Sequence, residues 1–150
     1  MESPNGDPPR IRTEEELAAF GLVDEYIERF GDTVAANLDP LDRDGFTDIR
    51  HGAVLIGVNV VPKRGVLLLL VRMGELPAQD EARVYRELLE LNFLSTGDCT
   101  FAIDDRQGAV YLRAMRRLEG LDYTEFEALL LMIAQVAEDM SSRVKSLLGT

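Results

Sequence analysis

The stretch ELLELNFLSTGDCTFAIDDRQGAVYLRAMRRLEGLDYTEFEALL, residues 87–130, decides how this chain folds. It starts inside an amphipathic helix and continues into two short strand-like runs, Thr100 to Ile103 and Ala109 to Ala114. The residues DDRQG between the runs are typical of a tight turn. Asp122 and Glu125 then stand at capping-box spacing, which predicts the start of another helix. The stretch therefore predicts a helix, an antiparallel hairpin and a helix in direct succession.

The residues before this stretch continue the antiparallel pattern. Thr13 and Glu16 have capping-box spacing, so a first helix is expected to start there. Val54 to Val61 alternates with a period of two, and a turn containing proline and glycine follows it. The next run, Val66 to Val71, is apolar at every position, which favours a central strand covered on both faces.

Together these elements predict an α+β fold, with three helices packed on an antiparallel sheet of about five strands. The expected order is α-β-β-β-α-β-β-α. A chain of 150 residues has the length of one domain with one core. We assign residues 13–150 to this domain and residues 1–12, which are rich in proline and poor in apolar side chains, to a loose N-terminal tail.

Composition and charge exclude several classes of function. The net charge of −11 repels nucleic acid and anionic membrane surfaces. The longest apolar run, residues 66–71, is far shorter than the ~20 residues that span a bilayer. The N-terminus MESPNGDPPR lacks the basic and apolar regions of a secretory signal, and the single Cys99 cannot form an internal disulfide. We expect a cytoplasmic protein with no nucleic-acid or membrane partner.

The sequence offers little for catalysis or metal binding. Its single histidine and single cysteine, His51 and Cys99, lie in no catalytic motif, and a lone cysteine is usually a small buried apolar residue. The acidic stretch NLDPLDRDGFTDIRHG does not fit a calcium loop, because Pro40 and His51 take the first and last ligand positions. We predict no catalytic residue, no metal and no cofactor. An enzyme that uses Cys99 and His51 remains as an alternative.

The helix predicted from Glu81 to Leu94 is apolar around an unusually wide part of its circumference. Two neighbouring stripes run along it, one of Val84, Leu88 and Leu91 and one of Tyr85, Leu89, Asn92 and Phe93. Packing against one sheet requires a single stripe, so this helix needs a second partner. Isologous pairing is the commonest way to supply one, which predicts a homodimer.

Residues 88–131 resemble the type III secretion chaperone family, also called the Tir-chaperone or CesT-like family. The related YbjN-type domains share the same frame. The matching positions lie at the end of the middle helix, on the return strand of the hairpin and at the start of the last helix. They are Leu88, Leu89, Asn92, Gly108, Val110, Leu112, Leu118, Leu121, Asp122, Phe126 and Leu129.

The resemblance implies a non-enzymatic homodimer that binds an extended segment of a client or effector protein and keeps it soluble for delivery. It also implies that the middle helix pairs across the dimer, and that the client lies on sheet edges and beside the first helix. We assign the dimer interface to Tyr85, Leu88, Leu89, Asn92 and Phe93, and client binding to Phe20, Val23 and Ile27. The alternative is a scaffold or adaptor subunit of the same fold that recognises a folded partner.

Overall fold

The computed structural model describes residues 12–149, which form three helices and one antiparallel sheet in the predicted order. The helices are α1 (Glu14–Val34), α2 (Glu81–Leu94) and α3 (Tyr123–Leu148). The strands are β1 (Phe46–His51), β2 (Val54–Val61), β3 (Val66–Glu75), β4 (Thr100–Asp104) and β5 (Ala109–Arg117). Except for Arg12, the N-terminal tail expected from the sequence lies outside the described residues.

The two predicted capping sequences start α1 and α3. The Thr13 hydroxyl accepts the Glu16 N–H at 3.1 Å, and the Glu16 carboxylate accepts the Thr13 N–H at 3.3 Å. At α3 the Asp122 carboxylate accepts the N–H of Glu125 at 2.8 Å. These bonds satisfy backbone donors that a helix N-terminus leaves unpaired, so both helices begin where their sequences indicate.

The strands lie in the order β1-β2-β3-β5-β4, and every neighbouring pair is antiparallel. Residues Pro62–Arg64 form a single 3-10 turn between β2 and β3, and Gly65 closes it at φ 64°. That left-handed conformation favours glycine. This order makes β3 the central strand and leaves β1 and β4 as the two edges of the sheet.

The hydrophobic core lies on one face of the sheet, which we call the inner face. Helix α3 crosses this face over β3, and α1 packs beside it. Ile27 of α1, Leu67 and Leu69 of β3, and Phe126 and Ile133 of α3 are all at most 1% exposed. One core therefore joins both long helices to the sheet.

The opposite, outer face of the sheet is less covered than the sequence suggests. Val66, Leu68 and Leu70 point to this face and are only half-buried, whereas Leu67 and Leu69 on the inner face are fully buried. The prediction that β3 is covered on both faces is thus wrong for the described chain. The physical reason is the position of α2, whose contacts with the sheet are made with the edge strand β4.

Candidate protein-binding site

Helix α2 presents one apolar face to solvent. Val84 and Leu88 on its other side are 1% and 3% exposed, but Leu89 is 69% and Phe93 is 85% exposed. Large apolar side chains that share one exposed face commonly mark a protein contact. We call this surface the α2 face, and it consists of Ala82, Tyr85, Arg86, Leu89, Glu90 and Phe93.

The five residues assigned to a dimer interface do not all lie on this surface. Tyr85, Leu89 and Phe93 belong to the α2 face. Leu88 is buried in the core of its own subunit, and Asn92 is half-buried with its amide bonded to β4. Three of the assigned residues are therefore available to a partner, while Leu88 and Asn92 hold α2 on its own subunit.

Asn92 closes part of the β4 edge. Its Oδ1 accepts the N–H of Phe101 at 2.7 Å, and its Nδ2 donates to the C=O of Phe101 at 3.2 Å. A side-chain amide carries the same donor and acceptor pair as a peptide group, so it replaces a neighbouring strand at this position. The bonds also fix α2 alongside β4.

Within residues 12–149, the β1 edge is open over most of its length. Phe46, the first residue of β1, points its N–H and C=O groups away from β2. Its N–H donates to the Asp42 carboxylate at 3.0 Å, and its C=O accepts the Asp42 N–H at 2.8 Å. Main-chain direction alternates along a strand. Asp48 and Arg50 therefore point their N–H and C=O groups the same way, where no residue among 12–149 bonds to them.

A hollow of about 530 Å³ runs across the outer face from β1 to β4 and is lined by residues of all five strands. Its lining includes Phe46, Asp48, Leu55, Leu70, Tyr111 and Arg113. The Asn59 Nδ2 is buried and has no hydrogen-bond partner within the described part of the chain. The edge and the hollow together offer main-chain bonding and side-chain contacts to an extended segment.

The residues assigned to client binding lie in the core of the described chain. Phe20, Val23 and Ile27 are 9%, 0% and 1% exposed. The Phe20 ring packs so closely on Gly45 that a Cβ there would collide with it. The apolar stripe of α1 that contains these three residues thus fixes α1 to the sheet.

His51 and Cys99 do not meet. His51 ends β1 and Cys99 precedes β4, so they lie at opposite edges of a five-stranded sheet, about 19 Å apart at 4.8 Å per strand spacing. Cys99 has no exposed surface, and burial, together with the neighbouring Asp98, raises the pKa of its thiol to about 11. The arrangement does not supply a paired nucleophile and base.

Within residues 12–149, no group of three or more histidine, cysteine, aspartate or glutamate side chains is placed to hold a metal ion. None of the helices in that range combines the length and the apolar character needed to cross a bilayer.

The sequence did not single out the β1 edge or the outer hollow. Both depend on which strand lies at the edge and on which residues face outward, and these follow from pairing between distant segments. The one local signal is the two-residue turn Gly52–Ala53, which pairs His51 with Val54 and thereby sets the alternation along β1.

Comparisons with known proteins point in one direction. The model of the Tir chaperone protein (CesT) family matches residues 35–141. No curated protein matches the chain by sequence.

Three solved structures show the same fold. A chain of the ExsC–ExsE complex is 21% identical, with a TM-score of 0.68 over 82% of this chain and 93% of that one. A chain of the ExoU–SpcU complex from the type III secretion system of Pseudomonas aeruginosa is 21% identical, with a TM-score of 0.60 over 84% and 97%. A chain from the complex of the Yersinia pestis type III secretion chaperone SycH with a stable fragment of YscM2 is 15% identical, with a TM-score of 0.53 over 83% and 98%.

Proposed function

The chain belongs to the Tir chaperone protein (CesT) family, and on that premise we propose that it is a homodimeric chaperone for an extended segment of a client protein. It keeps that segment soluble and ready for delivery. The role requires binding and no chemical reaction, so the chain is not an enzyme. It acts in the cytoplasm, where it binds the client before the client is exported.

The observation that carries the client-binding part is the open β1 edge beside the outer hollow. The outward main-chain groups of Asp48 and Arg50, to which no residue among 12–149 bonds, can bond to a client backbone whatever its sequence is. Alternate client side chains would then reach the hollow next to Phe46 and Leu55. A strand bound in this way must be extended, which favours an unfolded segment over a folded domain.

The α2 face supports the homodimer. A subunit that left Leu89 and Phe93 in water would forgo roughly 25 cal/mol for each Å² of apolar surface that a partner could cover. A second copy offers the same apolar patch, as isologous contacts require. The solved complexes above each contain a chain of this fold together with a second protein, which is consistent with the binding of a client.

Co-expression with the proteins encoded by adjacent genes tests this function. We expect one of them to become soluble with this chain, and limited proteolysis of the complex to leave this chain with an extended client segment. Light scattering at micromolar concentration should give two copies of this chain per complex. If the chain is strictly monomeric, the proposed homodimer is wrong. If proteolysis leaves a folded client domain instead of an extended segment, the scaffold or adaptor alternative is favoured.

A further inference from the structure

The β1 edge carries two charges of opposite sign on the outer face of the sheet. Asp48 and Arg50 are both exposed, and neither side chain forms an ion pair or a hydrogen bond with another residue among 12–149. The Asp48 carboxylate lies over Gly57 of β2, with its Oδ1 3.8 Å from the position that a Cβ on Gly57 would take. Ile49 between them points to the inner face and has no exposed surface. The two charges are therefore neighbours on one side of the strand.

These two charges are placed symmetrically about Ile49. Charged side chains on an edge strand usually prevent pairing with other chains. When two β1 strands lie antiparallel around a twofold axis at Ile49, however, Asp48 of each copy lies opposite Arg50 of the other. Opposite charges that face each other across two strands stabilise the pair. The outer side of β1 is thus complementary to a second copy of itself.

The main-chain groups favour the same register. Within β1, the outward N–H and C=O groups of Asp48 and Arg50 have no partner among residues 12–149, whereas Asp42 binds those of Phe46. In an antiparallel ladder, residues with outward groups pair with each other. An axis at Asp48 would set two aspartates against each other, and an axis at Arg50 two arginines. An axis at Ile49 pairs all the open groups and brings only opposite charges together.

We propose that copies of this chain pair through their β1 edges, antiparallel and centred on Ile49, so that two five-stranded sheets join into one. Each of the two Asp48–Arg50 pairs combines an ion pair with an exchange of both main-chain hydrogen bonds. The contact is short, because the Asp42 loop ends it at Phe46 and the turn at residues 52–53 ends it on the other side. A contact of this size is weak, so we expect it to form at about 0.1–1 mM, above the micromolar range proposed for the α2 face.

The second copy and a client need the same outward groups of β1. If the function proposed above is correct, the two therefore exclude each other. The self-contact covers the edge when the chain is concentrated and no client is present, which limits pairing with unrelated extended chains. Its weakness allows a client that binds more tightly to displace the copy.

An exchange of charges between copies tests the contact. Leu89→Asp serves as the background, because it removes the α2 contact and isolates pairing through β1. In this background, Asp48→Arg and Arg50→Asp should each weaken dimerisation about tenfold, since each sets like charges against each other twice. An equimolar mixture of the two variants should dimerise again, because the positive edge of one chain then faces the negative edge of the other. Sedimentation equilibrium up to about 1 mM measures each dissociation constant.

Two further variants control for net charge and for folding. Glu138→Arg changes the net charge by the same amount as Asp48→Arg, but it lies exposed on α3 and should leave the dimer unchanged. Both exchanges in one chain, Asp48→Arg with Arg50→Asp, should restore self-pairing to within about twofold of the Leu89→Asp chain. Circular dichroism of every variant checks that the sheet is intact.

Three results would overturn the β1 contact. They are a Leu89→Asp chain that stays monomeric up to about 1 mM, single variants that dimerise as well as this background, and a mixture that dimerises no better than its components. Each would leave the α2 homodimer and client binding in place, because those are measured at micromolar concentration and on the client complex. A client complex that still pairs through β1 would overturn the mutual exclusion alone.

Discussion

The side-chain amide of Asn92 pairs with both main-chain groups of Phe101 and so occupies this position of the β4 edge. Free strand edges tend to pair with other chains, so proteins usually block those that have no role. At β4 the block is built into the helix that carries the α2 face. At β1 the Asp42 loop covers only the start of the strand, at Phe46. On the function proposed above, β1 would receive the client and α2, which lies along β4, would receive the second copy.

Removal of the Asn92 amide should destabilise the subunit. Asn92→Ala leaves the nearly buried N–H and C=O of Phe101 without partners, so we expect the free energy of unfolding to fall by about 1–3 kcal/mol. Urea denaturation at one fixed protein concentration measures the change. The exposed Arg83 on the same helix provides a control, and Arg83→Ala should change stability by less than about 0.5 kcal/mol. Equal effects of the two substitutions would show that the amide pair has no special role.

Two exposed leucines of α2 provide a matched test of the α2 face. Leu89 and Leu94 are 69% and 80% exposed, but only Leu89 lies on the stripe with Phe93. Leu89→Asp should convert the dimer to a monomer, because it would bury an unpaired charge in the contact. Leu94→Asp should leave the dimer intact. Sedimentation equilibrium separates the outcomes, and loss of the dimer in both variants would mean that the contact lies elsewhere on the helix.

The sequence predicted the element order and the surplus apolar surface of α2, but not how that surface is divided. Helical periodicity gives the angle of each side chain around the axis and therefore revealed two stripes. It does not say where a neighbouring strand ends. Leu88 and Asn92 lie at the boundary between the two stripes. Leu88 is buried and Asn92 bonds to β4, so both serve their own subunit. Strand β4 is close to α2 in sequence, but the whole sheet sets its position.

Two other expectations show why exposure is hard to infer from a pattern. The apolar run of β3 indicated cover on both faces, yet Leu68 and Leu70 are only half-buried, because α2 packs at the edge strand β4 and not over β3. The stripe of Phe20, Val23 and Ile27 was assigned to a surface but packs in the core. An apolar residue is equally suited to a core and to a binding site, and only the three-dimensional contacts distinguish these environments.

The buried thiol of Cys99 should make stability depend on pH in the alkaline range. Burial raises its pKa from the ordinary value of 9.0 to about 11. At pH values between these two, the folded state retains a proton that the unfolded state has lost. The contribution of the protonated thiol to the free energy of unfolding is fully present below pH 9 and is lost as the pH rises towards 11. Urea denaturation across this range should show a steeper loss of stability in the unmodified chain than in Cys99→Ala. Parallel curves for the two chains would contradict the prediction.

The same burial predicts that the thiol is inert in the folded protein. At neutral pH an aromatic disulfide reagent should label Cys99 slowly, and rapidly once urea exposes it. Rapid labelling of the folded chain would instead revive the alternative of a catalytic cysteine.

The β1 edge can be tested by removing a single outward N–H. Asp48→Pro eliminates the donor that faces away from β2 and adds a ring where a client backbone would lie, while the ladder to β2 stays intact because it does not use this N–H. Asp48→Ala removes the same carboxylate but keeps the donor. Calorimetric titration with the client segment recovered by proteolysis should therefore show about tenfold weaker binding for Asp48→Pro and nearly unchanged binding for Asp48→Ala. Both variants should remain dimeric, since β1 lies at the edge opposite to α2. If Asp48→Pro binds as tightly as the unmodified chain, the client does not extend the sheet at β1, and the outer hollow alone would have to account for its affinity.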